Sequence, residues 1–127
     1  MNQLQVLHNR LTKVILDLQL RSSATEALRS LNWHPLVVRR HFHRCIMMYK
    51  SLNGGLDFDF NFKHISDVHN YNTRNKQNLY LQKANRNYGK LTFTYQGAMD
   101  WNVLPMEIRN VTAFKTFKLK LRNLLFF

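Results

Sequence analysis

The sequence predicts one mainly helical α+β domain carrying a single short β-hairpin. Three observations lead there. Apolar residues recur at helical spacing in three stripes, against one clean alternating stretch at 91–96. Hydrophobic residues make up 45% of the 127, enough for one packed core and too short a chain for two. Four glycines and two prolines leave little material for linkers.

The first stripe is Leu4, Leu7, Leu11, Val14, Ile15 and Leu18, stepping by three and four, and it predicts a helix over 2–20. Ser22, Ser23 and Thr25 interrupt it and offer N-caps to a short second helix with Ala27, Leu28 and Leu31 as its apolar contacts. Pro35 pushes His34 out of helical geometry and then opens a third helix over 35–52. Its core face is Val38, Phe42, Cys45, Ile46, Tyr49 and Leu52, and Gly54-Gly55 ends it with a residue free to turn left-handed.

Residues 56–64 (LDFDFNFKH) alternate apolar and polar, which fits a strand or a loop docking phenylalanines. Residues 67–76 carry turn chemistry. The alternation of Leu91, Phe93 and Tyr95 predicts a strand that pairs with 78–82 as a hairpin within 78–96. Gly97 breaks that strand, and a helix follows over 97–104 with Trp101 as its anchor. Pro105 ends it and suits the start of a short helix at 106–109. The last helix spans 112–125, with Thr112 as N-cap, an apolar stripe through Phe114, Phe117, Leu121, Leu124 and Leu125, and a basic remainder of Lys115, Lys118, Lys120 and Arg122. Trp33, Phe42, Trp101, Phe114 and Phe117 are the expected core.

Charge is uneven along the chain. Nineteen Lys and Arg face seven Asp and Glu, for a net +12. Residues 1–68 hold 9 basic and 5 acidic groups, whereas residues 69–127 hold 10 and 2, and no acid lies between Asp67 and Asp100. Such a field attracts polyanions, nucleic acid first and an anionic membrane second. No apolar run approaches the ~20 residues of a membrane span, and the N-terminus lacks a signal-peptide core, so a soluble chain is expected. One cysteine allows no internal disulfide, which fits a reducing, intracellular setting, nuclear or cytoplasmic.

Among candidate sites, His41, His43 and Cys45 sit two apart on a helix, where ligands sharing a site are three or four apart. They read as a buried thiol and surface histidines. Asp57 and Asp59 share a face if extended, but no third acid, histidine or nucleophile accompanies them locally. A third acid could come from far along the chain, and the favoured reading is loop aspartates between docked phenylalanines. No catalytic triad, phosphate-binding glycine loop or zinc signature is present, so no catalytic residue, metal or cofactor is expected. The stretch 69–90 differs. Arg74, Lys76, Lys83, Arg86 and Lys90 can meet phosphates, with Lys115 and Lys118 of the last helix beside them in the same basic half. Tyr71, Tyr80 and Tyr88 can stack on bases, and Asn70, Asn72 and Asn75 can hydrogen-bond. That composition suits binders of RNA and single strands. It equally suits a solvated loop with turn asparagines.

Five pieces occur in order: LQVLHNRLTKVIL, LNWHPLVVRRHFHRCIMMYKSLNG, HNYNTRN, NYGKLTFTYQGAMDWNVLPMEIRN and FKTFKLKLRNLL. Together they resemble the C-terminal region of the reverse transcriptases of non-LTR retrotransposons, of the LINE type (jockey-like and related clades). The most specific are HNYNTR at 69–74 and FTYQGAMDWNVLP at 93–105. The resemblance covers nearly the whole chain. It implies a thumb-side, post-palm piece of an RNA-directed DNA polymerase, without the palm aspartates or the endonuclease, left by an element truncated at its 5′ end. Partners implied are RNA or single-stranded DNA and the rest of the reverse transcriptase, with no membrane and no small-molecule substrate. The alternative is a structural or protein-interaction remnant that packed on the palm and has no activity of its own.

Overall fold

One backbone device, used three times, sets where the first helices stop. In the computed structural model, which describes residues 2–126, α1 (Asn2–Ile15) is followed by Asp17 at φ 53°, α2 (Ala24–Ser30) by Asn32 at φ 54°, and α3 (Leu36–Leu52) by Gly54 at φ 71°. The next residue in each case donates to a carbonyl five positions back: Leu18 to Lys13, Trp33 to Leu28 and Gly55 to Lys50, all at 2.8 Å. These left-handed closures satisfy carbonyls that a helix end leaves open. The helix expected over 2–20 therefore ends at Ile15, because Asp17 takes the role glycine usually fills.

The remaining helices are α4 (Ile65–Val68), α5 (Asn87–Lys90), α6 (Phe93–Val103), α7 (Met106–Arg109) and α8 (Phe114–Phe126). The fold is mainly α, as expected, but the hairpin at 78–96 is not formed. Residues 93–95 lie inside α6, and Gly97 sits within that helix rather than ending a strand. The alternation of Leu91, Phe93 and Tyr95 is outweighed by the helical spacing of Phe93, Gly97, Ala98, Trp101 and Leu104, of which the last four are buried. Residues 78–80 pair instead with 63–65, through an antiparallel bridge of His64 with Leu79. It is the one isolated bridge among the described residues, held by Ile65 N–H to Asn78 O at 2.8 Å and Tyr80 N–H to Lys63 O at 2.7 Å.

The chain divides into two compact units: residues up to Arg40 together with Phe126, and His41–Leu125. In the first, α1 packs on α2 with its polar face inward. Thr12 is fully buried and donates to Asn9 O at 2.7 Å. Gln5 donates to Asn9 Oδ1 at 2.8 Å and accepts the backbone N–H of Leu36 at 2.8 Å, supplying a partner for one open donor at the start of α3. His8 stacks on half-buried Trp33 with ring centroids 5.3 Å apart. Burial, and then the charge of Arg39, lower the His8 pKa from its ordinary 6.5. The stripe Leu4, Leu7, Leu11, Val14 and Ile15 faces outward, each residue at least half exposed.

The second unit holds the larger core. Phe42, Cys45, Met48 and Tyr49 of α3 are buried, as are Ala98 and Trp101 of α6, Ile108 of α7, and Phe117 and Leu121 of α8. Phe117 stacks on Tyr49 at 4.2 Å and meets Trp101 at 5.8 Å. Gly97 allows the close approach of α3, since a Cβ there would stand 2.7 Å from Met48 Sδ. Phe114 is not core as expected. It lies at the surface, with Lys50 Nζ 5.2 Å from its ring centre. Thr112 does not begin the last helix, which starts at Phe114; its carbonyl accepts the Tyr49 hydroxyl at 2.6 Å. Pro105 directly precedes α7, and its carbonyl accepts from Ile108 and Arg109.

Candidate nucleic-acid interface

The acid-free stretch reaches the surface because little of it is regular. Thr73 N–H donates to Tyr71 O and Lys76 N–H to Thr73 O, closing short turns that leave side chains outward. Arg74, Lys76, Lys83, Arg86 and Lys90 are all exposed. Tyr71 and Tyr88 are each 79% exposed, so both rings present faces to solvent. Lys115 and Lys118 are exposed on α8. No carboxylate pairs with any of these seven cations among the described residues.

One buried residue anchors this otherwise mobile-looking composition. Leu79 is 1% exposed. Its N–H donates to Asn102 Oδ1 at 2.8 Å, and its carbonyl accepts from Asn102 Nδ2 at 3.0 Å. The side-chain amide on α6 thus does for Leu79 what a neighbouring strand would do. Arg109 adds a bond to Asn78 Oδ1 at 2.8 Å. The stretch is pinned at its middle, and its cations on both sides have no carboxylate partner among the described residues.

Below the pinned segment opens a pocket of about 540 Å³. Phe60 and Phe62 form one wall and Tyr80 and Tyr95 contribute further rings, with Lys63 and Lys83 also lining it. Of the expected binding residues, the pocket gathers Lys83 and Tyr80. Arg74, Lys76, Arg86, Lys90, Lys115, Lys118, Tyr71 and Tyr88 do not line it. Sequence reasoning missed Lys63, Phe60, Phe62 and Tyr95 as neighbours of the basic stretch. The phenylalanine alternation of 56–64 was the available signal, but it joins the site through the pairing of 63–65 with 78–80.

The other candidates are structural in this geometry. Asp100 accepts from Arg44 Nε at 2.5 Å and lies 3.2 Å from His41 Nδ1, joining α3 to α6. Cys45 is fully buried, and its pKa is pushed up to about 12 by burial first and the Asp100 charge second. His43 is exposed. Asp57 and Asp59 are exposed, and Asp59 Oδ1 accepts the N–H of Asn61 at 2.8 Å in a local turn. No group of three metal-ligating side chains stands together among the described residues. No described helix is long and apolar enough to cross a membrane. No family of known proteins, no curated protein and no solved structure matches the chain.

Proposed function

We propose that this chain is a non-catalytic nucleic-acid-binding piece of an RNA-directed DNA polymerase of the LINE type, engaging RNA or single-stranded DNA. The observation that supports the reading is the exposure of every Lys and Arg in a run of sequence free of acid between Asp67 and Asp100, together with that of Tyr71 and Tyr88. Phosphates would meet Arg74, Lys76, Lys83, Arg86 and Lys90, with Lys115 and Lys118 on α8, while Tyr71 and Tyr88 stack on bases. The resemblance of HNYNTR and FTYQGAMDWNVLP supplies the polymerase context.

The test is a salt titration of binding to a labelled single strand. Phosphate contacts release counterions, so log K falls with log[salt] by about 0.7 per contact. Four or five engaged groups give a slope of roughly −3. Binding that ignores salt, or that survives joint loss of Arg74, Lys76 and Arg86, defeats the reading.

The outward stripe of α1 favours a second reading, a surface for another protein, which the resemblance assigns to the rest of the reverse transcriptase. Contiguous apolar patches of several hundred Å² commonly mark interaction sites. Self-association of the isolated chain with no affinity for RNA at moderate salt would select this second reading over the first.

A further inference from the structure

We infer that the pocket between Phe62 and Tyr95 takes one unstacked base of a single strand, with the adjoining phosphate on Lys63 and Lys83. The inference rests on the nucleic-acid reading above and adds to it a specific subsite.

The wall is packed before any ligand arrives. Phe60 and Phe62 lie 5.1 and 6.4 Å from Phe93, the first residue of α6, and 5.9 Å from each other. Lys63 is held to the opposite segment by the 2.7 Å bond from Tyr80 N–H to its carbonyl. The rings therefore keep their places without a ligand, which spares the ordering cost of binding. Flat apolar faces suit a planar ring, and a base offers such a face whatever its identity.

Three features select a nucleotide over a purely apolar ligand. Asn61, Gln82, Thr92 and Thr94 line the space. The amides of the first two can hydrogen-bond the edges of a base. The Thr92 hydroxyl, which donates to Gly89 O at 2.8 Å, keeps a lone pair to accept. Lys63 and Lys83 are exposed and pair with no carboxylate among the described residues, so both can meet a phosphate. No acid lines the pocket. Its volume of about 540 Å³ falls in the ~300–1,000 Å³ range of small-molecule sites. A base in a duplex is stacked on both faces and could enter only by leaving the helix, which favours a single strand.

The experiment compares two 12-nucleotide single strands on the full chain, one of ordinary thymidines and one in which every base is replaced by an abasic residue. Both carry the same phosphates. The intact strand should bind about tenfold tighter or more, the gain one stacked base supplies, with an unchanged salt slope. Thr94→Trp and, separately, Gln82→Trp fill the pocket with an indole from exposed lining positions. Each should shrink that advantage about tenfold, leaving the share that stacking on Tyr71 and Tyr88 supplies, while the abasic strand's affinity stays as it was, and circular dichroism checks that each variant folds. Arg74→Gln with Lys76→Gln should weaken both strands alike. Equal binding of the intact and abasic strands overturns the pocket and leaves the nucleic-acid reading standing. An advantage that both filling variants leave undiminished places the base elsewhere and overturns it too. Failure of both strands to bind removes both readings.

Discussion

Helices α1 and α8 carry similar apolar stripes in the sequence and bury opposite faces. In α8, Phe117 and Leu121 are fully buried, and Lys115, Lys118, Lys120 and Arg122 point to solvent. In α1, fully buried Thr12 and the hydrogen-bonded Gln5 and Asn9 face inward, and Leu4, Leu7 and Leu11 face out. The 3.6-residue period tells where an apolar face lies, and says nothing of what covers it. Polar residues can line an interior when they satisfy one another, as Gln5, Asn9 and Thr12 do.

The contrast is tested most forcefully at α8. Phe117→Ala should cost about 3–5 kcal/mol in urea unfolding, and Leu121→Ala about 2–5. A loss under one kilocalorie for either would place α8 outside the core. The polar face of α1 comes next. Gln5→Ala removes the partner of the Leu36 N–H and should cost about 1 kcal/mol, read by the same unfolding curve. A neutral result would mean that this bond contributes nothing to the first unit.

Acid provides a third test, specific to α1. The His8 pKa is lowered in the folded chain, so the unfolded chain binds its proton first. The resulting stability is present above the ordinary value of 6.5 and lost as pH falls below it toward the lowered folded value. Protection factors over the 2–40 segment, with the intrinsic pH dependence of exchange divided out, should fall below pH 6.5, and His8→Phe should remove that response. A response that persists in His8→Phe belongs to another group. The smallest effect is expected on the outward stripe. Leu7→Gln and Leu11→Gln should change the stability of the monomer by no more than about 0.5 kcal/mol, while reducing any self-association seen by sedimentation. A large loss would show that the stripe is covered in solution.

Much of the helical plan was legible in residues: Pro35 and Gly54-Gly55 bracket α3, Pro105 opens α7, and Trp101 and Phe117 anchor the second core. The ends of α1 and α2 were harder to read. Asp17 and Asn32 close them in a left-handed conformation, yet both residue types are commoner as N-caps and turn formers. The strand expected at 91–95 failed because two periods fit Phe93 and Tyr95, and tertiary contact of Gly97 with Met48 decided between them. The candidate site divides similarly. Its charges are local and could be counted, whereas its pocket depends on Lys63 meeting Tyr80 seventeen positions away, which no local pattern encodes.

Cys45 gives the second unit a built-in clock. It is the sole cysteine, fully enclosed, with its pKa pushed up to about 12. Only a thiolate reacts readily with alkylating or disulfide reagents, so an intact molecule should ignore them at neutral pH. Each labelled chain then records one excursion in which α3 parted from α6 and α8. When reclosing outruns labelling, the rate reports the equilibrium share of open molecules. A covalent dimer joined through Cys45 would likewise mark chains that had already come apart, making oxidation a symptom of opening rather than its cause.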